Sequence, residues 1–284
     1  MEQIKQIWLD MFANNETRME WWEKKQKLFE KREARIVRIR GSGQVFHTVK
    51  QKKREDISYL FHVVYLIKQG DFFYLEEQIT PYRAILEDGA LLHHMEITED
   101  RKQTAKVDLN AEKLLRSDKD EQSRFAYNRL AAVQYAERWW NSYNPEYRSF
   151  DVDCTNYVSQ CLAAGGAPMW GAPNRGTGWW YNNNSWSYSW AVAHSLRWYL
   201  SGAKKGLKGT AVDRPEELIP GDVICYDFQG DDQWEHNTIV VAKDANGMPL
   251  VNAHTNNSRQ RYWAYEDSAA WTPNIKYKFF RIGE

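Results

Sequence analysis

The chain has 284 residues and a mass of 33.6 kDa, with 43% hydrophobic and 27% charged residues. That composition is globular and excludes a disordered chain, and the length suits one large or two ordinary domains. Lys+Arg and Asp+Glu both number 38, so net charge gives no general reason to bind nucleic acid or an anionic membrane, though a local patch stays open.

Mean hydropathy is -0.73, and no apolar run approaches the roughly 18 residues of a membrane span. Three cysteines, Cys154, Cys161 and Cys225, cannot build a disulfide framework. The outlier is the aromatic content, with 14 Trp, 16 Tyr and 11 Phe. The first residues, MEQIKQIWLDMFANNETRMEWWEKK, hold no continuous apolar stretch and no small-residue cleavage site. That reads as cytoplasmic by default, and as exported or wall-associated if the chain is a mature or truncated form.

In chain order, residues 1–36 read as helix. Ile4, Ile7, Trp8 and Met11 recur at helical spacing, and Asn14-Asn15 is a candidate break. From Ala34 the period changes to two. Segments 34–40, 44–50, 57–68, 71–79, 81–87 and 90–97 form an expected antiparallel meander, with turns at Gly70-Asp71 and Asp88-Gly89. Tyr59, Phe61, Val63, Tyr65 and Ile67 alternate with Leu60, His62, Val64 and Leu66, which predicts a strand covered on both faces. His47, His62, His93 and His94 read as ordinary strand residues. Residues 1–97 are thus expected to form a small α+β domain, without a catalytic constellation of residue types.

Residues 98–120 are highly charged and lack aromatics, which marks a linker. The second domain is expected over 121–284. It opens with a helix from Arg124 to about Trp140, striped by Ala126, Leu130, Val133, Ala136 and Trp140. Cys154, Tyr157, Val158, Cys161 and Leu162 lie on one face of a second helix, with Gly165-Gly166 as its stop and Asp153 as its cap. A helix over 189–200 and strands at 222–228, 237–243, 249–254 and 275–281 follow. Helices first and an antiparallel set of strands after them is an α+β order.

Cys154 falls in the first turn of its helix, where open N–H groups and the helix dipole favour a thiolate and could line an oxyanion hole. From spacing alone, a small buried apolar cysteine is the better reading. The later residues change that weighting. His236 stands at the head of a β-branched strand. Asn252 and His254, two apart on the next strand, share one face, and either could orient the imidazole. Nucleophile, base and orienter then occur in the chain order Cys, His, Asn/His, and these are the parts that thiol-based acyl chemistry requires.

The segments YNRLAAVQYAERWWNSYNPEY, DCTNYVSQCLAAGGAPMW, PGDVICYDF, WEHNTIVV and LVNAHTNNSRQRYW resemble the putative amidase domain family of Gram-positive bacteria, related to the papain-like CHAP and cell-wall cysteine peptidases. The resemblance covers about residues 121–284. It implies a papain-like α+β domain, Cys154 as nucleophile, His236 as general base, and Asn252 or His254 as the third member. The expected activity is cysteine-dependent hydrolysis of an amide bond in peptidoglycan or a peptide, needing no cofactor and no metal. Two alternatives stand beside it: a catalytically inactive scaffold that binds wall polymer or peptide, and an acyltransferase using the same Cys/His pair.

Three further features are weighed. Trp179, Trp180 and Trp186 lie in an aromatic and amide-rich loop that suits either a substrate groove or a loop pinned by its own tryptophans. Asp227, Asp231, Asp232 and Glu235 read as a solvated acidic loop, since they lack EF-hand spacing, and could favour a Cys⁻/His⁺ pair by raising the pKa of His236. Lys204, Lys205 and Lys208 read as surface, and His194 as structural.

Overall fold

The computed structural model describes residues 2–14, 20–97 and 125–283. The expected linker at 98–120 lies outside them. The described residues fall into two compact units, the N-terminal one also taking in the short segment Glu266–Ala269.

In the N-terminal unit, helices α1 (Glu2–Asn14) and α2 (Glu20–Lys31) precede four strands: β1 (Ala34–Gln51), β2 (Arg54–Gln69), β3 (Phe72–Glu87) and β4 (Ala90–Glu96). They pair antiparallel in chain order. The expected six short strands are therefore four, three of them long. Gly41 and Gly43 do not break β1, because they let aromatic rings of β2 lie across the strand. A Cβ on Gly41 would meet the Phe61 ring at 2.8 Å, and one on Gly43 would meet the Tyr59 ring at 3.5 Å. Pro81 likewise continues β3, opposite Leu60.

The helices cover one face of this sheet. Trp8 of α1 stacks on Phe61 at 3.9 Å and donates its indole N–H to Tyr59 Oη at 2.8 Å. Trp22 of α2 stacks on Tyr65. Lys25 is buried between Glu76 and Asp267, so its charge is compensated within the unit. Double coverage of β2 does not occur: Tyr59, Phe61, Val63, Tyr65 and Ile67 are buried, whereas Leu60 is exposed and His62, Val64 and Leu66 only half-buried.

The C-terminal unit is mixed α+β. Its helices α3 (Arg129–Trp139), α4 (Cys154–Ala164), α5 (Tyr188–Ala191) and α6 (Ala193–Gly202) come before most of the sheet, with a small hairpin of β5 (Tyr181–Asn182) and β6 (Ser185–Trp186) between α4 and α5. The strands are β7 (Gly209–Val212), β8 (Val223–Asp227), β9 (His236–Lys243), β10 (Pro249–Ala253), β11 (Ser258–Tyr262) and β12 (Lys276–Ile282). They run in the order β11-β10-β9-β8-β12-β7, and these pairings are antiparallel.

Each face of the sheet carries its own apolar cluster. On the helix side, Tyr157, Val158, Cys161 and Leu162 of α4 meet Val223, Cys225, Ile239, Val241 and Phe280 of the strands. On the other side, Ile224, Tyr226, Val240, Val251 and Phe279 gather with Leu218, Phe228 and Tyr265. The apolar stripe expected on α3 holds in part, with Trp140 buried and Val133 half-buried as expected but Ala126 exposed. Leu130 is exposed, while Ala132 and Ala136 face the core. Asn128 accounts for the short start, because its Oδ1 accepts from Ala131 N at 3.0 Å and caps the helix, while Arg129 donates to Asp222 and to Ile282 O, both at 2.6 Å, tying α3 to the end of the sheet.

Candidate active site

Cys154 is the first residue of α4, and Gly165 ends the helix. Asp153 stands at the N-cap position, but its side chain makes no capping bond. Its Oδ1 instead accepts from Phe150 N at 3.0 Å and from Asn156 Nδ2 at 2.9 Å. Its Oδ2 meets His254 Nδ1 at 2.8 Å. The capping expectation fails because Phe150 N, His254 and the side chain of Asn156, rather than a backbone N–H of the helix, take the carboxylate.

The thiol of Cys154 is buried, with 1% of the residue exposed. Its Sγ lies 3.7 Å from Thr155 Oγ1 and 3.9 Å from Glu235 O. Burial pushes its pKa up. Bonds from the Asn237 backbone and the Thr155 side chain oppose that rise, and nearby Asp153 adds to it. Desolvation is the largest of these influences and favours the thiol over the thiolate. Cys161 and Cys225 are also fully buried with thiols raised by desolvation, as structural cysteines would be.

The side chains of β9 alternate across the sheet. Asn237 faces α4, where its Oδ1 accepts from Thr155 Oγ1 at 2.8 Å. His236 therefore turns to the opposite face. Its ring sits 5.5 Å from that of Tyr226 and 5.2 Å from that of Tyr265, and its Nε2 is 3.2 Å from Tyr265 Oη. The hydrogen bonds of Cys154 do not include His236.

Asn252 pairs with Ile239 and faces the helices. Its Nδ2 donates to Glu137 of α3 at 2.9 Å, and its Oδ1 accepts from Gln260 N at 2.8 Å. His254 stacks on Tyr157 at 4.0 Å, with its Nε2 2.7 Å from Trp139 O and its Nδ1 on Asp153. The two residues do share a face, but neither hydrogen-bonds to His236. The structure brings His254, Asp153 and the Cys154 turn together, and sets His236 apart on the far side of the strand.

The aromatic loop resolves by residue. Trp179 and Trp180 are enclosed, and their indole N–H groups donate to Ser159 Oγ at 3.0 Å and to Asn174 O and Thr177 O at 3.1 Å. These two pin the loop and cannot face a substrate. Trp186 is half-buried, with the guanidinium groups of Arg148 and Arg175 over its ring at 5.5 and 5.1 Å. Sequence reasoning passed over Trp190, whose indole donates to Asn156 Oδ1 at 2.8 Å and so braces the first turn of α4.

Among the described residues, Asp227, Asp231 and Glu235 bring carboxylate oxygens within 4.8 Å of one another and could hold a cation. Asp227 already accepts from the backbone N–H groups of Gly230, Asp231 and Asp232, and Glu235 from that of Phe228. Burial, with the charges of Asp227 and Asp231, raises the pKa of Glu235. His194 has Trp234 N 3.3 Å from Nδ1 and Trp198 Nε1 3.0 Å from Nε2, and its one acceptor nitrogen can take either N–H, which is a structural role.

Residues 126–280 match the family described as "Putative amidase domain". The chain belongs to that family. It is similar to "Uncharacterized protein YhbB" of Bacillus subtilis (strain 168), 49% identical over 267 residues, which is 92% of this chain and 85% of that protein. It is also similar to "Uncharacterized protein YjcM" of the same organism, 30% identical over 138 residues, covering 46% of this chain and 31% of that one. No solved structure matches the chain. The matched span holds Cys154, His236, Asn252 and His254, so each residue singled out from sequence lies within the amidase-family domain.

Proposed function

We propose that the C-terminal domain hydrolyses amide bonds in peptide-type substrates, peptidoglycan stem peptides foremost, with Cys154 as nucleophile. The carrying observation is the placement of Cys154 at the first turn of α4, within the span matched by the amidase family. A thiolate there attacks the carbonyl carbon, and open backbone N–H groups of the turn are placed to receive the oxyanion. The C–N bond then breaks, the amine leaves with the proton taken from the thiol, and water hydrolyses the thioester.

The proton acceptor we assign is His236. Its chain neighbour Glu235 already touches the sulfur through its carbonyl, and His236 is the first residue of β9, adjoining the loop before it. In the present arrangement the ring faces Tyr265, so attack requires the 235–236 segment to turn it toward α4. The test is release of peptides from purified peptidoglycan, followed by mass spectrometry. Cys154→Ala and His236→Gln should each abolish release, and full activity in Cys154→Ala would refute the reading.

One observation favours a second reading. The thiol is buried, its pKa is raised, and it makes no bond to an imidazole. A scaffold that binds peptide without turnover needs none of those features corrected. It would bind peptidoglycan equally well with Cys154→Ala and release nothing.

A further inference from the structure

The helices of the N-terminal unit cover one face of its sheet and leave the other open. On β2 the open face carries Leu60, His62, Val64, Leu66 and Lys68. The register sets Lys68 between Arg35 and Phe73, Leu66 between Arg38 and Leu75, and Val64 between Arg40 and Glu77. A bulge in β1 lies between Ile36 and Arg38. Without it, Arg35 and Arg38 would point to opposite faces, because they are an odd number of residues apart. With it, Arg35, Arg38 and Arg40 form one row on the open face.

All three arginines are exposed, and none of their guanidinium groups has a hydrogen bond or ion pair among the described residues. Residues 34–54 carry seven Lys and Arg and no Asp or Glu, in a chain whose overall charge is balanced. The acids near the row are Glu77, held by His62 at 2.9 Å, and Glu33 and Asp71 in the adjoining turns. Apolar side chains stand among these cations: Phe73 is 52% exposed, Leu75 39% and Leu60 37%, and Lys68 Nζ sits 5.5 Å over the Phe73 ring.

We propose that this face docks onto the surface of an anionic lipid bilayer. Charge complementarity is the first argument: an unpaired arginine row on an open sheet face attracts a negative surface potential. The second is the mixture. A soluble polyanion would neutralise the arginines but leave Phe73, Leu75 and Leu60 in water. A bilayer interface takes both, with phosphates on the cations and the apolar side chains among the headgroups. The surface is independent of Cys154 and of any turnover by the C-terminal domain.

The experiment is co-sedimentation of the full chain with vesicles of equimolar phosphatidylglycerol and phosphatidylcholine, and with vesicles of phosphatidylcholine alone. Binding is expected to the first only. The combined substitution Arg35→Gln, Arg38→Gln and Arg40→Gln should weaken it about 100-fold. Phe73→Ser should weaken it with every charge intact, and Lys5→Gln with Lys24→Gln on the helices should leave it unchanged. An unchanged unfolding midpoint shows that each variant is folded. Vesicle binding that ignores the arginine substitutions overturns the proposal. So does arginine-dependent binding to soluble polyphosphate with none to vesicles, which would give the face to a different polyanion.

Discussion

Thr155 Oγ1 donates to Asn237 Oδ1 at 2.8 Å, and this bond shows which face of β9 meets the turn that carries Cys154. Asn237 is fully buried, and its backbone N–H also reaches the Cys154 sulfur. Asn237→Ala leaves the Thr155 hydroxyl without its acceptor in a dry site. We expect a loss of about 1–3 kcal/mol in urea unfolding. His236→Ala, at a half-buried position on the other face, should cost less stability while removing turnover. A larger stability loss from His236→Ala than from Asn237→Ala would contradict the assignment of faces.

Burial of Cys154, Cys161 and Cys225 gives a pH dependence with a definite sign. All three thiols are raised in the folded chain. Once pH passes the ordinary thiol value of about 8.5, the unfolded chain releases these protons and the folded chain keeps them. The unfolded state then binds fewer protons, so stability falls as pH rises. Thermal unfolding across that range should show a falling midpoint, shallower in Cys161→Ala than in wild type relative to each protein's own neutral value. Iodoacetamide should label native Cys154 slowly at pH 7 and faster above the ordinary thiol range. Rapid labelling at neutral pH would mean that the thiolate is populated after all.

The contact between His254 and Asp153 predicts stability effects where an orienting residue would give catalytic ones. The pair is almost fully enclosed, with side chains 3% and 1% exposed. His254→Ala removes a ring stacked on Tyr157 and strands the Asp153 carboxylate beside α4. The expected loss is about 2–5 kcal/mol, from the ring removed from a packed site and from Asp153 Oδ2 left without its partner, while Oδ1 keeps Phe150 N and Asn156. Asn252→Ala should also destabilise, by freeing Glu137 Oε1 and Gln260 N, but less. If His254→Ala kept its stability and lost turnover roughly 100-fold, His254 would instead be an orienter.

Much of this arrangement was legible in the sequence. The spacing of Cys154, Tyr157, Val158 and Cys161 gave the helix and its core face, and Gly165 its end. The order of helices and strands gave the α+β class, and Asn252 and His254 share a face as their two-residue spacing requires. The phase of β9 was not legible. His236, Thr238 and Val240 alternate with Asn237, Ile239 and Val241, and both sets include β-branched residues that suit a buried face. Hydrophobic patterning fixes register only where the two faces differ. The same limit applies to β2, whose open face carries Leu60, Val64 and Leu66 and so looked as coverable as the buried one. The contacts that Cys154 makes with Glu235 O and the Asn237 backbone come from about 80 positions away, which no local motif encodes.

The aromatic loop supplies the last test, because its shape depends on a backbone contact that admits no side chain. Trp170 and Trp179 exchange N–H···O bonds, both 3.0 Å, and this bridge holds Trp179 in the core under Ser159. Gly178 precedes it with φ +70, and a Cβ there would meet Trp170 O at 2.0 Å. Gly178→Ala therefore combines left-handed strain with a backbone collision that no side-chain rotation relieves. The expected loss is about 2–5 kcal/mol. Gly247 is the control: its φ is +75, but a Cβ there meets nothing within 4 Å, so Gly247→Ala should lose only about 1–2 kcal/mol. Gly178→Ala should also disturb the near-ultraviolet dichroism of the tryptophans, which Gly247→Ala should leave intact. Equal losses from the two substitutions, with unchanged tryptophan signals, would mean that the Trp170–Trp179 bridge does not hold the loop.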